Sequence, residues 1–269
     1  MPKTALITGS SSGIGQAAAQ FFRRQGWNVA ATMRNPESAR PWLDQAGIVG
    51  LRLDVTDIDS IRSACSEAIS RFGAIDVLVN NAGYGLVGPF EASTPQQVER
   101  QIATNVTGLM NVTREIIPHF RERRGGVIIN VSSVGGRLTF PLYSVYHATK
   151  WAVEGFSEAL VYELAPFNIR VKIIEPGPIK TDFYDRSIEL MTKSGLTAYD
   201  DFVGKAMPVM QRVGTTAPGP EIVAKAIFKA ATDGSRRLRY PVNGSALLML
   251  RRLMPTRLFM AIVRSQVVK

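Results

Sequence analysis

At 269 residues the chain has room for one large α/β domain, and its 45% apolar and 20% charged residues exclude a disordered chain. Thirty-two Lys and Arg against 22 Asp and Glu give +10, a balance that suits nucleic acid, an anionic membrane or an anionic small ligand. Cys65 stands alone, so no intrachain disulfide can form and a reducing compartment suits the chain. The first apolar run breaks at Gly9, too short for a signal peptide, and no run nears the roughly 20 residues of a membrane span. A cytoplasmic protein is expected.

In chain order, Lys3 to Thr8 is a short apolar run ending in Gly9-Ser10-Ser11-Ser12-Gly13-Ile14-Gly15, and Ala17 to Phe22 follow at helical spacing. Strand, glycine-rich turn and helix form the opening of a dinucleotide-binding unit. Glycines let backbone approach a pyrophosphate, and the amides of the helix N-terminus face its charge. The spacing is Gly-x-x-x-Gly-x-Gly rather than Gly-x-Gly-x-x-Gly, so the reading rests on its place at the first strand-to-helix junction. Asn28 to Met33 is the second strand. An acidic residue about 20 positions past the glycine turn would bind an adenosine ribose hydroxyl. Met33 and then Arg34 stand there instead, a guanidinium with no carboxylate to repel a 2′-phosphate, which favours NADP(H) over NAD(H).

Val49 to Leu53 is a third strand ending at Asp54-Val55, Asp57 to Arg71 a helix, and Ile75 to Val79 a fourth strand leading into Asn80-Asn81-Ala82-Gly83. This alternation predicts a Rossmann-type, doubly wound parallel sheet with helices on both faces, in a single domain of residues 1–269. Thr94 and Pro95 read as the N-cap and first turn of a long helix. Its apolar stripe runs through Val98, Ile102, Leu109, Val112 and Ile116, and Asn105 falls on it, where a buried amide needs partners. Pro118 is expected to bend or end this helix.

The apolar strand Val127 to Val131 leads to Ser133, and a helix is expected from Tyr143 to Leu164. On it Tyr146 and Lys150 stand at i and i+4, side by side on one face. An ammonium beside a phenol favours the phenolate and makes Tyr146 a better acid, while Ser133 can offer its hydroxyl to the same oxygen. The three could hold a carbonyl oxygen and pass it a proton. Tyr143 and His147, also four apart, are a rival pair. Ile169 to Ile174 is the sixth strand, and Glu175-Pro176-Gly177-Pro178-Ile179-Lys180-Thr181 follows at its C-terminal end, where ligands of such sheets collect.

Residues 182–218 show little periodicity but carry Phe183, Tyr184, Met191, Phe202, Met207 and Met210. They are expected to form a substrate-binding loop or lid over an apolar substrate, with a loosely packed helix pair as the alternative. Pro220 to Thr232 is a helix, Leu238 to Val242 the last strand, and residues 244–269 one basic amphipathic helix. Such a helix suits a membrane surface, but packing on its own domain or a sister subunit is the favoured expectation. No zinc-ligand spacing or internal repeat occurs.

Taken in order, Thr8-Gly9-x-x-x-Gly13-Ile14-Gly15, Asp54, Asn80-Asn81-Ala82-Gly83, Asn105, Ser133, Tyr146-x-x-x-Lys150 and Pro176-Gly177-x-x-x-Thr181 resemble the classical short-chain dehydrogenases/reductases over Lys3 to Thr181. The resemblance implies Tyr146 as general acid in reduction and base in oxidation, with Ser133 orienting the carbonyl. It implies Lys150 on the nicotinamide ribose and Asn105 placing a water that links Lys150 to solvent. Asp54 would contact the adenine, Asn81 would sit by the adenosine part, and Thr181 would engage the carboxamide. Ser11, Ser12, Ile14, Val55, Ala82, Gly83, Pro176, Gly177 and Ile179 complete the expected cofactor contacts. Ser12 occupies a position where NADP-using members often carry a basic residue, which leaves the coenzyme expectation on Arg34. Members commonly form dimers or tetramers, and a homo-oligomer is expected here.

The expected function is an NADP(H)-dependent oxidoreductase interconverting an apolar aldehyde or ketone and an alcohol, with no metal. Its rivals are an NAD-linked dehydrogenase of a steroid- or retinoid-like alcohol and a non-catalytic dinucleotide sensor on the same fold. A nucleic-acid binder is disfavoured, since no base-reading motif accompanies the charge.

Overall fold

The computed structural model describes residues 2–43, 45–181 and 187–267. Strands β1 (Thr4–Thr8), β2 (Asn28–Met33), β3 (Ile48–Arg52), β4 (Val77–Asn80), β6 (Gly126–Val131), β7 (Ile169–Pro176) and β9 (Arg239–Val242) make one sheet in the order β3-β2-β1-β4-β6-β7-β9. Every pairing in it is parallel. A small second sheet pairs β5 (Gly85–Val87) with β8 (Ile188–Leu190) beside the main one.

The strand sequences explain why both faces are covered. Side chains alternate across a strand, and here both sets are apolar. Ala5 and Ile7 of β1, Val29 and Ala31 of β2, and Val79 of β4 join one core. Leu6, Ala30 and Leu78 between them join the other. The helices are α1 (Gly13–Arg24), α2 (Arg40–Leu43), α3 (Ile58–Phe72), α4 (Pro95–Ile102), α5 (Leu109–Glu122), α6 (Ser144–Leu164), α7 (Asp200–Thr215), α8 (Glu221–Thr232), α9 (Ser245–Leu253) and α10 (Thr256–Val267). Helices α1 and α8 cover the first face, joined by Phe22 and Phe228 edge to face at 5.1 Å. Ile61 of α3, Ile116 of α5 and Leu160 of α6 fill the second. Each fully buried side chain of this size contributes about 1.5–3 kcal/mol.

The sheet reverses direction of winding between β1 and β4, and the loops after both strands open a crevice at the C-terminal edge. Local signals set the helix starts around it. Asp57 caps α3 through the amides of Asp59 and Ser60 at 3.0 and 3.1 Å. Thr94 and Gln97 form a reciprocal capping box on α4, with Pro95 in its first turn.

Four expectations need correction. The long helix after Thr94 is interrupted by a π-helical stretch over Ala103–Gly108, which puts Ile102 on the exposed side and Asn105 inside. Of the two effects expected of Pro118, an end to the helix does not occur, since α5 continues through it to Glu122. Within residues 187–218, β8 and the 16-residue α7 stand where the sequence predicts a loop; Phe183 and Tyr184 fall outside the described residues. The basic segment 244–269 is two helices, because Pro255 holds Met254 in an extended conformation, φ −93° and ψ 142°, that no helix tolerates.

Candidate active site

The crevice is the mouth of a cavity of about 1070 Å³. Gly9, Ser11, Ser12, Gly13 and Ile14 line one end of it, with Arg34 after β2 and Asp54 and Val55 after β3. Asn81, Ala82 and Gly83 enter from the loop after β4, and Pro176, Gly177, Ile179 and Thr181 from the loop after β7. Ser133, Tyr146 and Lys150 stand on the same wall system. Of the sequence-predicted residues, Gly15 and Asn105 lie behind the lining rather than in it.

The glycine turn has the shape of a phosphate cradle. Gly9 and Gly13 adopt φ of 68° and 56°, which side-chain-bearing residues rarely do. A Cβ on Gly15 would meet the Gly9 carbonyl oxygen at 2.2 Å, so only glycine lets α1 start this close to β1. Asn81 ties the two loops together: its Nδ2 donates to the carbonyls of Thr8 and Gly9 at 2.9 and 3.1 Å. No dinucleotide is needed to explain these bonds, yet the open amides at the start of α1 and the side-chain-free floor fit its pyrophosphate. Asp54 Oδ1 accepts from the amide and hydroxyl of Thr56 at 2.9 and 2.7 Å. Burial opposes its charge, but those two bonds and the nearby Arg34 and Arg52 hold the carboxyl below its ordinary value.

At the other end, α6 delivers Tyr146 and Lys150. The Lys150 ammonium lies 5.7 Å from the Tyr146 ring centroid and donates to the Val131 carbonyl at 2.9 Å. Burial pushes Lys150 down to about 8, with Glu154 one turn further along opposing the shift. Ser133 lies two residues past β6 and caps the short turn that follows. Its Oγ accepts from the Gly135 amide at 3.0 Å and donates to the Pro176 carbonyl at 3.3 Å. Asn105 spends its amide on protein: Nδ2 donates to Tyr84 O and Thr149 Oγ1, and Oδ1 accepts from the Tyr84 amide. It therefore brackets the loop after Gly83 against α6.

The rival pair separates cleanly. His147 Nε2 accepts from the Phe140 amide at 2.9 Å, so the proton sits on Nδ1, which donates to the Gly135 carbonyl at 2.9 Å. Burial pushes its pKa to about 4, against that carbonyl bond. A neutral ring with both nitrogens engaged is a strut that holds the turn after Ser133, not a proton carrier.

Other lining residues carried no local signal. Tyr84, Arg100 and Glu189 meet at the rim, where Arg100 pairs with Glu189 at 2.6 Å. Burial, then the charge of Glu189, raise the Tyr84 phenol. Val209, Met210 and Val213 of α7 and Gln266 and Val267 of α10 also line the cavity. There Phe202, Met207 and Met210 pack with Tyr143, Tyr146 and Val267 in one apolar cluster. Phe202, Met207 and Met210 stand out in the sequence, but only their meeting in space reveals the others.

The sequence model for short chain dehydrogenases matches residues 3–190. A relative in Bacteroides thetaiotaomicron, a 3-ketodihydrosphingosine reductase, is 38% identical over 230 residues, 85% of this chain and 83% of that one. The crystal structure of a short-chain dehydrogenase from Streptomyces avermitilis superposes with a TM-score of 0.85 at 33% identity, covering 98% of this chain and 97% of the other. A short chain dehydrogenase/reductase from Burkholderia phymatum in complex with NAD superposes at 0.83 with 25% identity, covering 94% and 92%. A family match running from β1 to the end of β8, laid on this cavity, makes the chain a member of the short-chain dehydrogenase family and an NAD(P)-dependent oxidoreductase acting on CH–OH groups.

Proposed function

We propose that the chain is an NADP(H)-dependent reductase of apolar aldehydes or ketones, in which Tyr146 gives the proton. The observation that carries this is that Tyr146 and Ser133 line the same cavity, with Lys150 beside the Tyr146 ring and an apolar cluster around it. The bound dinucleotide supplies the hydride.

The chain's own groups do the rest. Ser133, held by the Gly135 amide, turns its one hydroxyl proton from the Pro176 carbonyl to the substrate's carbonyl oxygen and sets its direction. Tyr146 donates to the same oxygen as negative charge develops there, and takes the proton back when an alcohol is oxidised. Lys150, anchored on Val131, keeps positive charge against the Tyr146 ring and favours loss of the phenolic proton. Met207, Met210 and Val267 keep water from the reacting carbon. Arg34, on the cavity wall directly after the buried Met33, supports a 2′-phosphate and hence NADPH. The relative named for reducing 3-ketodihydrosphingosine supports the reductive direction and a ketone beside an apolar chain.

The test is coenzyme oxidation by the purified protein across ketones and aldehydes of increasing chain length, beside Tyr146→Phe. We expect NADPH-dependent turnover that improves with chain length. In Tyr146→Phe, kcat should fall by about 10²–10⁴ while coenzyme affinity stays unchanged. Full turnover in that variant would reject the assigned acid.

A further inference from the structure

The C-terminal helices present an apolar face that none of the described residues covers. Helix α9 buries only Leu248. On its other side Ala246, Met249, Leu250 and Leu253 recur at i, i+3, i+4 and i+7 and are all exposed, Met249 by 65% and Leu253 by 71%. Across the Pro255 break, α10 exposes Leu258 and, by 60%, Met260 on either side of the buried Phe259. A soluble monomer has no reason to repeat large exposed apolar groups at helical spacing.

The charge around this face identifies what covers it. Asp233 is the last acidic residue of the sequence, so residues 234–269 carry only positive side chains. Arg252, Arg257 and Arg264 flank the apolar stripe, exposed, and among the described residues none of them forms an ion pair. Two copies of so basic a face would repel one another, which argues against a dimer formed through it. Nucleic acid would leave the apolar stripe in water. A bilayer bearing anionic headgroups takes both: the aliphatic side chains enter the interface and the arginines meet the headgroups.

We propose that α9 and α10 form a docking surface for anionic lipid bilayers. The inner side of the same helices supports the geometry, since Leu248 and Phe259 are buried against Val134 and Leu138 of the turn after Ser133. The platform is thus a rigid part of the domain and not a loose tail. Gln266 of α10 lies on the cavity lining, so docking sets that rim toward the lipid. This last consequence alone rests on the cavity being the carbonyl site.

The experiment is flotation of the full chain with vesicles of phosphatidylcholine, alone or mixed with phosphatidylserine, for the wild type, Met249→Ser/Leu253→Ser and Arg252→Gln/Arg257→Gln/Arg264→Gln. We expect binding to the mixed vesicles about tenfold or more above pure phosphatidylcholine, suppressed by high salt. Each variant should lose about tenfold while keeping its melting temperature and its turnover of a water-soluble carbonyl. No binding to mixed vesicles, or equal binding to both kinds, overturns the proposal. A change of oligomeric state in light scattering on Met249→Ser/Leu253→Ser also overturns it, because the face would then be a subunit interface. Flotation is read without turnover, so failure of the proposed reaction and failure of docking remain distinct.

Discussion

The proposed choice between two coenzymes rests on a single side chain, Arg34. It follows the last buried residue of β2, lines the cavity, and lowers the carboxyl of Asp54 across the crevice. A charge-assisted bond to a 2′-phosphate contributes about 1.5–3 kcal/mol, and the ribose hydroxyl of NAD offers no counterpart. Arg34→Ala is therefore expected to raise the NADPH dissociation constant about tenfold or more with little change for NADH. Titration with both coenzymes checks this, and an equal loss for the two removes the phosphate role. At this scale much of the site could be read in advance where chemistry is local. Tyr146 and Lys150 are one helical turn apart, so their proximity follows from periodicity alone. His147 could not be assigned that way. Its two partners, Gly135 and Phe140, come from an irregular turn whose path depends on β6 and α6 being in place. Tyr84, Arg100 and Glu189 were hidden for the same reason, with about a hundred residues of chain between the first and the last.

Helix α1 owes its position to an absent side chain. A Cβ on Gly15 meets backbone oxygen at 2.2 Å and the Asn81 amide at 2.5 Å, so Gly15→Ala must push α1 away from β1 and open the cradle. We expect a loss of about 1–3 kcal/mol in urea unfolding, with coenzyme affinity falling alongside. Gly155 in α6 is the control: an added Cβ there meets nothing within 4 Å, and Gly155→Ala should stabilise by about 0.5–1 kcal/mol. Equal effects of the two would mean that helix propensity, not the close approach, governs Gly15. The seven strands of the main sheet, α3, α6 and α8 were legible to within two residues from their apolar runs and local stop signals, while the three-residue β5 and β8 were not. Helix α7 was not. Gly204, Pro208 and Gly214 interrupt its pattern, and its apolar side is set by contact of Phe202, Ala206 and Met210 with Tyr143 and Val267. The split between α9 and α10 was written in Pro255, a stop signal outweighed by the long alternation of Leu, Met and Arg.

Across the whole molecule, one buried charge cluster links the parts that make the site. Glu175 ends β7 just before the Pro176-Gly177 loop, and Glu154 lies one turn past Lys150 on α6. Arg239 of β9 reaches Glu154 at 3.0 Å and Glu175 at 3.4 Å, and Arg137 from the turn after Ser133 reaches Glu175 at 3.4 Å. Arg239 also holds Glu158 at 2.9 Å, so two guanidiniums serve three carboxylates, of which Glu175 is fully buried. Burial, then the neighbouring Glu154, push its pKa up to about 7 in spite of both arginines. Between the ordinary carboxylate value and about 7 the folded chain thus holds a proton that the unfolded chain has lost. The stability this contributes is complete below the ordinary value and disappears as pH rises through 7. His147 acts with the opposite sign: neutral in the fold down to about 4, it makes stability fall as pH drops below the usual histidine range. In the wild type the two slopes oppose each other in mildly acidic solution. Glu175→Gln mimics the protonated acid and leaves the histidine slope alone. It should match the wild type near pH 5 and exceed it by about 1–3 kcal/mol near pH 8, as read from urea melts across that range. A difference that stays constant with pH, or a variant weaker than the wild type at the alkaline end, would show that Glu175 is ionised throughout and that the two arginines govern its charge.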